Sequence, residues 1–198
     1  MLVLLDNGHG GLINGVYQTP GKRSPVWSND TQVFEGEFNR AIVNGVIEQL
    51  TSLKIPYVNI APEYEDTSLA ERVKRANRYA GSDCFLVSVH SNAGGGAGCE
   101  VFTSKGQTKS DAIATIFVQK YRQVFPNEVL RTDYSDGDPD KESDFYMLTK
   151  TKMPAILTEN FFMDNERECR EFLLSREGRQ KIIDYHVQAI LEVKKKLF

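Results

Sequence analysis

Short apolar runs alternate with longer amphipathic segments along the chain, a pattern typical of α/β proteins. The apolar runs predict five strands: Met1–Leu5, Pro56–Ala61, Cys84–Val89, Gly98–Thr103 and Ala155–Thr158. With the helices between them, they predict a single three-layer α/β domain, in which a twisted, mostly parallel sheet is flanked by helices.

Apolar residues that recur every three or four positions predict the helices. There are four such segments: Glu37–Leu53, Leu69–Tyr79, Ser110–Phe125 and Arg176–Leu197. Thr67 or Ser68 precedes the second helix, and Glu71 follows Ser68 by three residues, which is the spacing of a capping box. The irregular stretches Leu12–Phe34 and Arg131–Asp144 are expected to be surface loops.

Composition excludes several functional classes. The 198 residues are about one domain's length, and 40% apolar with 26% charged residues is ordinary for a globular protein. A formal charge of −3 gives no electrostatic footprint for nucleic acid. No apolar stretch approaches the ~18 residues that a membrane span needs, so membrane insertion is not expected.

The cysteines and the N-terminus carry no export signature. Cys84, Cys99 and Cys169 are widely spaced and form no CxxC pair, so free thiols are expected. The apolar run Met1–Leu5 is followed at once by polar residues, without a basic leader or a cleavage site, and we therefore expect no signal peptide.

Two of the three histidines follow predicted strands. His9 comes after the first strand and His90 after the third, while Glu159 follows the late strand. If these strands are parallel, the three side chains share the sheet edge where ligands bind in open α/β folds. His186 lies in the terminal helix and is expected to be a structural or surface residue.

Two imidazoles beside carboxylates suggest a metal centre. A catalytic Zn²⁺ usually has three protein ligands and an open position for water. The third ligand must be an acid, because no cysteine lies in a matching place. Both Glu35 and Glu37 are candidates, since they lie near the start of the predicted helix Glu37–Leu53. The alternative interpretation is that His9 and His90 are hydrogen-bonded turn residues, as single histidines after strands often are.

Other chemical patterns are weaker. The serines that bracket His90 lack the G-x-S-x-G elbow of a serine hydrolase. Asp136, Asp138 and Asp140 alternate like the start of a calcium loop, but the Gly and the distant Glu of an EF-hand are missing and Pro139 interrupts them. A solvated acidic loop is therefore the expectation for this segment.

Five motifs in order resemble the zinc-dependent N-acetylmuramoyl-L-alanine amidases of the third amidase family, which hydrolyse peptidoglycan. They extend from about Leu2 to about Leu191 and read LDNGHGG, FEGEFN, LAERVKRAN, FLVSVHSNA and MPAILTENFFMDN. The resemblance implies that residues 1–198 are a single catalytic amidase domain acting on muramoyl peptide. It also implies that Zn²⁺ is held by His9, Glu35 (selected over Glu37) and His90, with Glu159 as the catalytic acid/base.

The chain departs from this family in two places. Asn160 and Phe161 stand where the family often has a short apolar residue or glycine, so the wall beside Glu159 is expected to differ. The segment 12–34 is longer than usual and carries Lys22, Arg23 and Trp27, which suggests contact with the substrate; an ordinary surface loop is the alternative.

Two rival functions share the same residues. A zinc peptidase could cut within the stem peptide, and a catalytically dead module could only dock on peptidoglycan. The acid/base glutamate favours an enzyme over the module. How the protein reaches the cell wall (as a phage lysin or as an exported domain) and its oligomeric state are left open by the sequence.

Overall fold

The computed structural model describes residues 1–198 and contains one six-stranded sheet with strand order β4-β1-β5-β8-β6-β7. Its strands are β1 (Leu2–Asp6), β4 (Tyr57–Asn59), β5 (Cys84–Asn92), β6 (Cys99–Thr103), β7 (Lys141–Glu142) and β8 (Ala155–Phe162). β4, β1, β5 and β8 run parallel, whereas β6 is antiparallel to β8. A separate two-stranded hairpin joins β2 (Leu12–Ile13) to β3 (Val16–Tyr17).

Helices cover both faces of the sheet. They are α1 (Glu35–Ser52), α2 (Leu69–Asn77), α3 (Lys109–Val124), α4 (Tyr146–Lys150), α5 (Glu166–Glu168) and α6 (Arg176–Leu197), with a π-helical turn at Cys169–Leu174. The larger core, which includes Val87, joins the sheet to α1, α3 and α6, and the smaller core, which includes Leu86, joins it to α2 and α4. Because successive strand residues point to opposite faces, the buried run of β5 serves both cores.

The three-layer α/β fold and all the predicted helices and major strands are confirmed, with boundaries that move by a few residues. β5 and β8 continue beyond the predicted ends, so His90 and Glu159 lie within strands rather than after them. The segment 12–34 was predicted to be irregular but contains the β2–β3 hairpin. Ser68 caps α2, since its side chain accepts a hydrogen bond from the backbone N–H of Glu71.

The three cysteines are buried free thiols, as predicted. None of the helices combines the length and the apolar character that crossing a bilayer requires.

Candidate active site

Three side chains from separate elements meet at one edge of the sheet. His9 follows β1, Glu35 begins α1, and His90 lies near the end of β5. Glu35 Oε1 is 3.2 Å from His9 Nε2 and 2.9 Å from His90 Nδ1. One potential ligand atom from each residue lies within 4.8 Å of the other two.

Glycines permit this close approach. Gly8 has φ 64°, and a Cβ at this position would lie 2.8 Å from His90 Cε1. A Cβ on Gly36 would meet the carbonyl oxygen of Gly10 at 1.9 Å. Side chains at these positions would therefore push the turn that carries His9 away from the start of α1.

Glu35 is an ionised, buried carboxylate. Burial alone would raise its pKa, but interactions with His9 and His90 outweigh this effect and hold the pKa of Glu35 well below its usual range. For His90 the effects are reversed: burial would lower its pKa, but the adjacent Glu35 carboxylate outweighs burial and raises the pKa of His90. The cluster is thus a carboxylate with two imidazoles around it.

His90 is oriented by Ser88 of its own strand and, through Ser88, by Asp6 of the neighbouring strand β1. Its Nε2 lies 3.2 Å from Ser88 Oγ, and this hydroxyl donates to Asp6 Oδ2 over 2.6 Å. Asp6 in turn forms a buried ion pair with Arg72 of α2. Such outer contacts fix the ring orientation of metal-binding histidines.

Asp6 and Arg72 are two residues of this site that the sequence patterns do not single out. Both lie inside matched motifs: Asp6 is in LDNGHGG and Arg72 in LAERVKRAN. The available signal for Asp6 is a carboxylate directly at the end of an apolar strand, on the same sheet edge as the candidate ligands.

Glu159 faces a cleft beside the cluster. It is paired in register with His90, and it lines the cleft together with Lys22, Glu35 and Asn92. Its Oε2 has no hydrogen-bond partner. Burial is the main cause that raises the pKa of Glu159 to about 8. A carboxyl group with such a pKa can both accept and donate a proton near neutral pH.

The other residues singled out from the sequence have different environments. Lys22 lines the cleft, and its backbone carbonyl accepts a hydrogen bond from the N–H of Glu35 over 2.9 Å. Trp27 instead packs against the core and donates from Nε1 to Cys169 Sγ. Arg23 forms a backbone bridge with Phe34.

Glu37 and His186 are outside the cluster. Glu37 Oε1 accepts a hydrogen bond from the backbone N–H of Leu12 over 2.6 Å, which occupies it away from the histidines. His186 is buried in α6, where its ring nitrogens contact Thr158 Oγ1 and the carbonyl of Ile182. Of the two acids near the start of α1, the structure therefore places only Glu35 beside the imidazoles.

The donor set fits a divalent transition metal. Two imidazole nitrogens and one carboxylate oxygen are the ligand types that catalytic Zn²⁺ sites use. The buried His9 Nε2 makes no hydrogen bond, although it lies close to Glu35, and a bound cation would satisfy it. The three residues could therefore hold a metal with an open side toward the cleft.

Fold and site together define the class: an α/β protein with a His/Glu/His cluster at the carboxyl ends of its strands. A family model described as N-acetylmuramoyl-L-alanine amidase (amidase family 3) matches residues 3–192, which confirms the resemblance seen in the motifs. The chain belongs to this family.

Curated relatives agree with this assignment. The chain is 29% identical over 170 residues to N-acetylmuramoyl-L-alanine amidase CwlM of Bacillus licheniformis, with 85% of this chain and 59% of CwlM covered. It is 30% identical over 202 residues to the endolysin of Bacillus phage SPP1, with 97% of this chain and 65% of the endolysin covered. The chain thus spans about two thirds or less of these relatives.

Solved structures share the fold. An N-acetylmuramoyl-L-alanine amidase from Clostridium difficile 630 superposes with a TM-score of 0.79 at 22% identity and covers 100% of this chain and 98% of its own. The amidase AmiC2 of Nostoc punctiforme gives 0.77 at 24% identity, with 99% and 98% covered. These similarities establish the architecture, since the identities are low.

Proposed function

We propose that this chain is a zinc-dependent N-acetylmuramoyl-L-alanine amidase, which hydrolyses the amide bond between N-acetylmuramic acid and L-alanine in peptidoglycan. The convergence of His9, Glu35 and His90 beside the carboxyl group of Glu159 carries this proposal. Membership of the amidase family supports the substrate, and the one six-stranded sheet with helices on both faces supports one catalytic domain over residues 1–198.

His9, Glu35 and His90 would hold the zinc ion. Bound zinc would lower the pKa of a coordinated water and polarise the scissile carbonyl group. Glu35 would balance part of the charge of the ion, and the Ser88 hydroxyl contacts the second nitrogen of the His90 ring and so fixes its orientation. The chain thus supplies two neutral ligands and one anionic ligand, and the contact with Ser88 holds one of the imidazole rings in place.

Glu159 acts as the proton carrier. Its carboxylate accepts the proton of the attacking water, and the same group then donates a proton to the departing alanine amine. Without that proton the amine would be a very poor leaving group. His90 and, more weakly, Lys22, which lines the same cleft, lower the pKa of Glu159 against the larger effect of burial.

Substitution of Glu159 separates chemistry from metal binding. Glu159→Gln should retain stoichiometric zinc but lose turnover by about 10²–10⁴-fold, because the amide cannot carry the proton. Turnover is measured as release of peptide from purified muramoyl peptide. Activity equal to that of the unsubstituted protein would contradict the role of Glu159.

A matched pair on α1 tests the ligand. Glu35→Gln should lose zinc and activity, whereas Glu37→Gln, two residues away, should keep its zinc because its side chain contacts Leu12 instead. Zinc content is measured by elemental analysis after dialysis.

Mass spectrometry of the products identifies the bond that is cleaved. Cleavage within the stem peptide, rather than release of the intact peptide, would contradict the amidase proposal.

A further inference from the structure

Three carboxylates converge at a second place in the molecule. Asp111 lies in the first turn of α3, and Asp138 and Asp140 belong to the loop that precedes β7. One oxygen atom of each lies within 4.8 Å of the other two. Asp111 and Asp140 are buried, with 7% and 2% of their surfaces exposed, so the expectation of a solvated acidic loop is wrong for Asp140.

This aspartate cluster (Asp111, Asp138 and Asp140) lies near the amino ends of the parallel strands, whereas the candidate active site lies near their carboxyl ends. Thr103 ends β6 and donates a hydrogen bond from its hydroxyl to Asp140 Oδ2 over 2.6 Å. Because β6 is antiparallel to β8, its carboxyl end lies where the parallel strands begin, whereas His90 and Glu159 lie toward their carboxyl ends. The two sites are therefore separate.

The negative charge of the cluster is not balanced by protein cations. Lys141, which follows Asp140, pairs with Glu100, and Lys105 pairs with Asp144. Lys109, two residues before Asp111, is exposed and forms no ion pair with the cluster. Oδ1 of Asp140, a side chain that is almost fully buried, has no hydrogen-bond partner, and neither has Oδ1 of Asp138. Burying charged oxygens without partners is costly, so the arrangement calls for a positive ligand.

The acid–base properties of the cluster agree with this reasoning. Burial, together with the adjacent Asp138 carboxyl group, raises the pKa of Asp140 to about 7. Burial also raises the pKa of Asp111. Carboxylates that repel one another in this way bind protons when no metal is available, and a cation would replace those protons.

We propose that Asp111, Asp138 and Asp140 form a structural Ca²⁺ site that ties the loop before β7 to the start of α3. All the protein donors are carboxylate oxygens, which suit a hard cation and offer neither the nitrogen nor the sulfur that zinc prefers. Oxygen ligands of Ca²⁺ lie at roughly 2.3–2.6 Å, so two ligands of one ion are at most about 5 Å apart. The carboxylate oxygens of the cluster all lie within 4.8 Å of one another, which meets that limit.

Thermal unfolding of the full chain tests the site with the metal alone as the probe. After chelation and dialysis, Ca²⁺ at about a hundred times its Kd should raise the Tm by roughly 5–10 °C. Asp140→Asn and Asp138→Asn should abolish this shift. Asp136→Asn should keep it, because this exposed residue of the same loop carries the same charge but lies outside the cluster.

The substituted proteins are expected to fold. Removing one of the repelling charges should leave their Tm without Ca²⁺ at or above that of the unsubstituted protein. The absence of a Ca²⁺ shift in the unsubstituted protein, its persistence in both Asp140→Asn and Asp138→Asn, or its loss in Asp136→Asn would overturn the proposal. So would an equal or larger shift with Mg²⁺. None of these outcomes depends on zinc or on amidase activity.

Discussion

Phe161 occupies a backbone conformation that β-carbon-bearing residues rarely adopt. Its φ is 60°, and it lies in β8 at the position where the resembled amidase pattern has glycine. The side chain is fully buried, and its ring stacks on Phe172 with centroids 4.0 Å apart and planes 7° apart. Packing therefore compensates for local strain in the strand that carries Glu159.

Substitutions at Phe161 should separate strain from packing. Phe161→Ala and Phe161→Gly should both lower the free energy of unfolding by about 3–5 kcal/mol, because each loses the buried ring. Glycine should nevertheless be more stable than alanine by about 1 kcal/mol, since it adopts positive φ without a steric cost. Urea unfolding measures the difference. The opposite order, which is usual inside strands, would show that the backbone relaxes after truncation.

At the level of residues, the sequence predicts those members of the candidate site that lie at the carboxyl ends of strands. His9, His90 and Glu159 were found because chain direction alone brings such positions to one sheet edge. Glu35 and Glu37 could not be separated on position alone, since both precede the same apolar helix pattern. The two residues are distinguished by which side of the first helical turn faces the histidines, and this depends on tertiary structure. In the sequence, only the resemblance of FEGEFN to the amidase motif selects Glu35.

At the level of elements, α2 carries two arginines with different roles. Arg72 is 2% exposed and pairs with the equally buried Asp6 of β1, beneath His90. Arg75 is 27% exposed and pairs with Glu63 and Glu71 at the surface. In addition to the apolar packing of the smaller core, one buried ion pair therefore attaches the helix to the sheet, while its outer pairs are screened by solvent.

Methionine at each of these positions tests the contrast. Arg72→Met should reduce the free energy of unfolding by about 3–5 kcal/mol, because it leaves the Asp6 carboxylate buried without a counter-charge. Arg75→Met should cost no more than about 1 kcal/mol. Urea unfolding of both proteins gives the comparison. Equal losses would show that the buried pair with Asp6 contributes no more to holding α2 than the surface pairs do.

The elements that sequence patterns missed are those too short to show a period. β2, β3 and β7 have two residues each, α4 has five and α5 three. A period of 3.6 or 2 needs more residues than these segments contain. The β2–β3 hairpin carries a local signal of a different kind: Asn14 and Gly15 between its strands have φ of 50° and 79°, and Asn-Gly is the typical sequence of a two-residue hairpin turn. The hydrogen bond from Leu12 N–H to Glu37 then attaches the hairpin to α1.

At the level of the whole molecule, α6 is connected to the strand that bears Glu159 through His186. Its Nδ1 lies 2.8 Å from the carbonyl oxygen of Ile182 and must donate to it, so Nε2 accepts from the Thr158 hydroxyl over 3.0 Å. Asn160 Nδ2 then contacts Thr158 Oγ1 at 3.1 Å and donates to the His90 carbonyl at 2.9 Å. This chain of hydrogen bonds requires a neutral imidazole, because a protonated Nε2 cannot accept.

Global stability should consequently decrease in acid through His186. Burial lowers its pKa from 6.5 to about 4, so between these values the unfolded chain binds a proton that the folded protein does not. Its contribution is retained above about pH 6.5, is lost as the pH falls, and levels off below about pH 4. At about pH 5 the loss in the free energy of unfolding should be about 2 kcal/mol relative to neutral pH.

The variant His186→Gln tests this prediction, because its amide can form hydrogen bonds but cannot titrate. The free energy of unfolding of this variant, measured in urea, should lack that part of the pH dependence. Parallel stability–pH curves for the two proteins would show that His186 has the same pKa in the folded and unfolded chain, and the link from α6 to Thr158 would then not depend on a neutral imidazole.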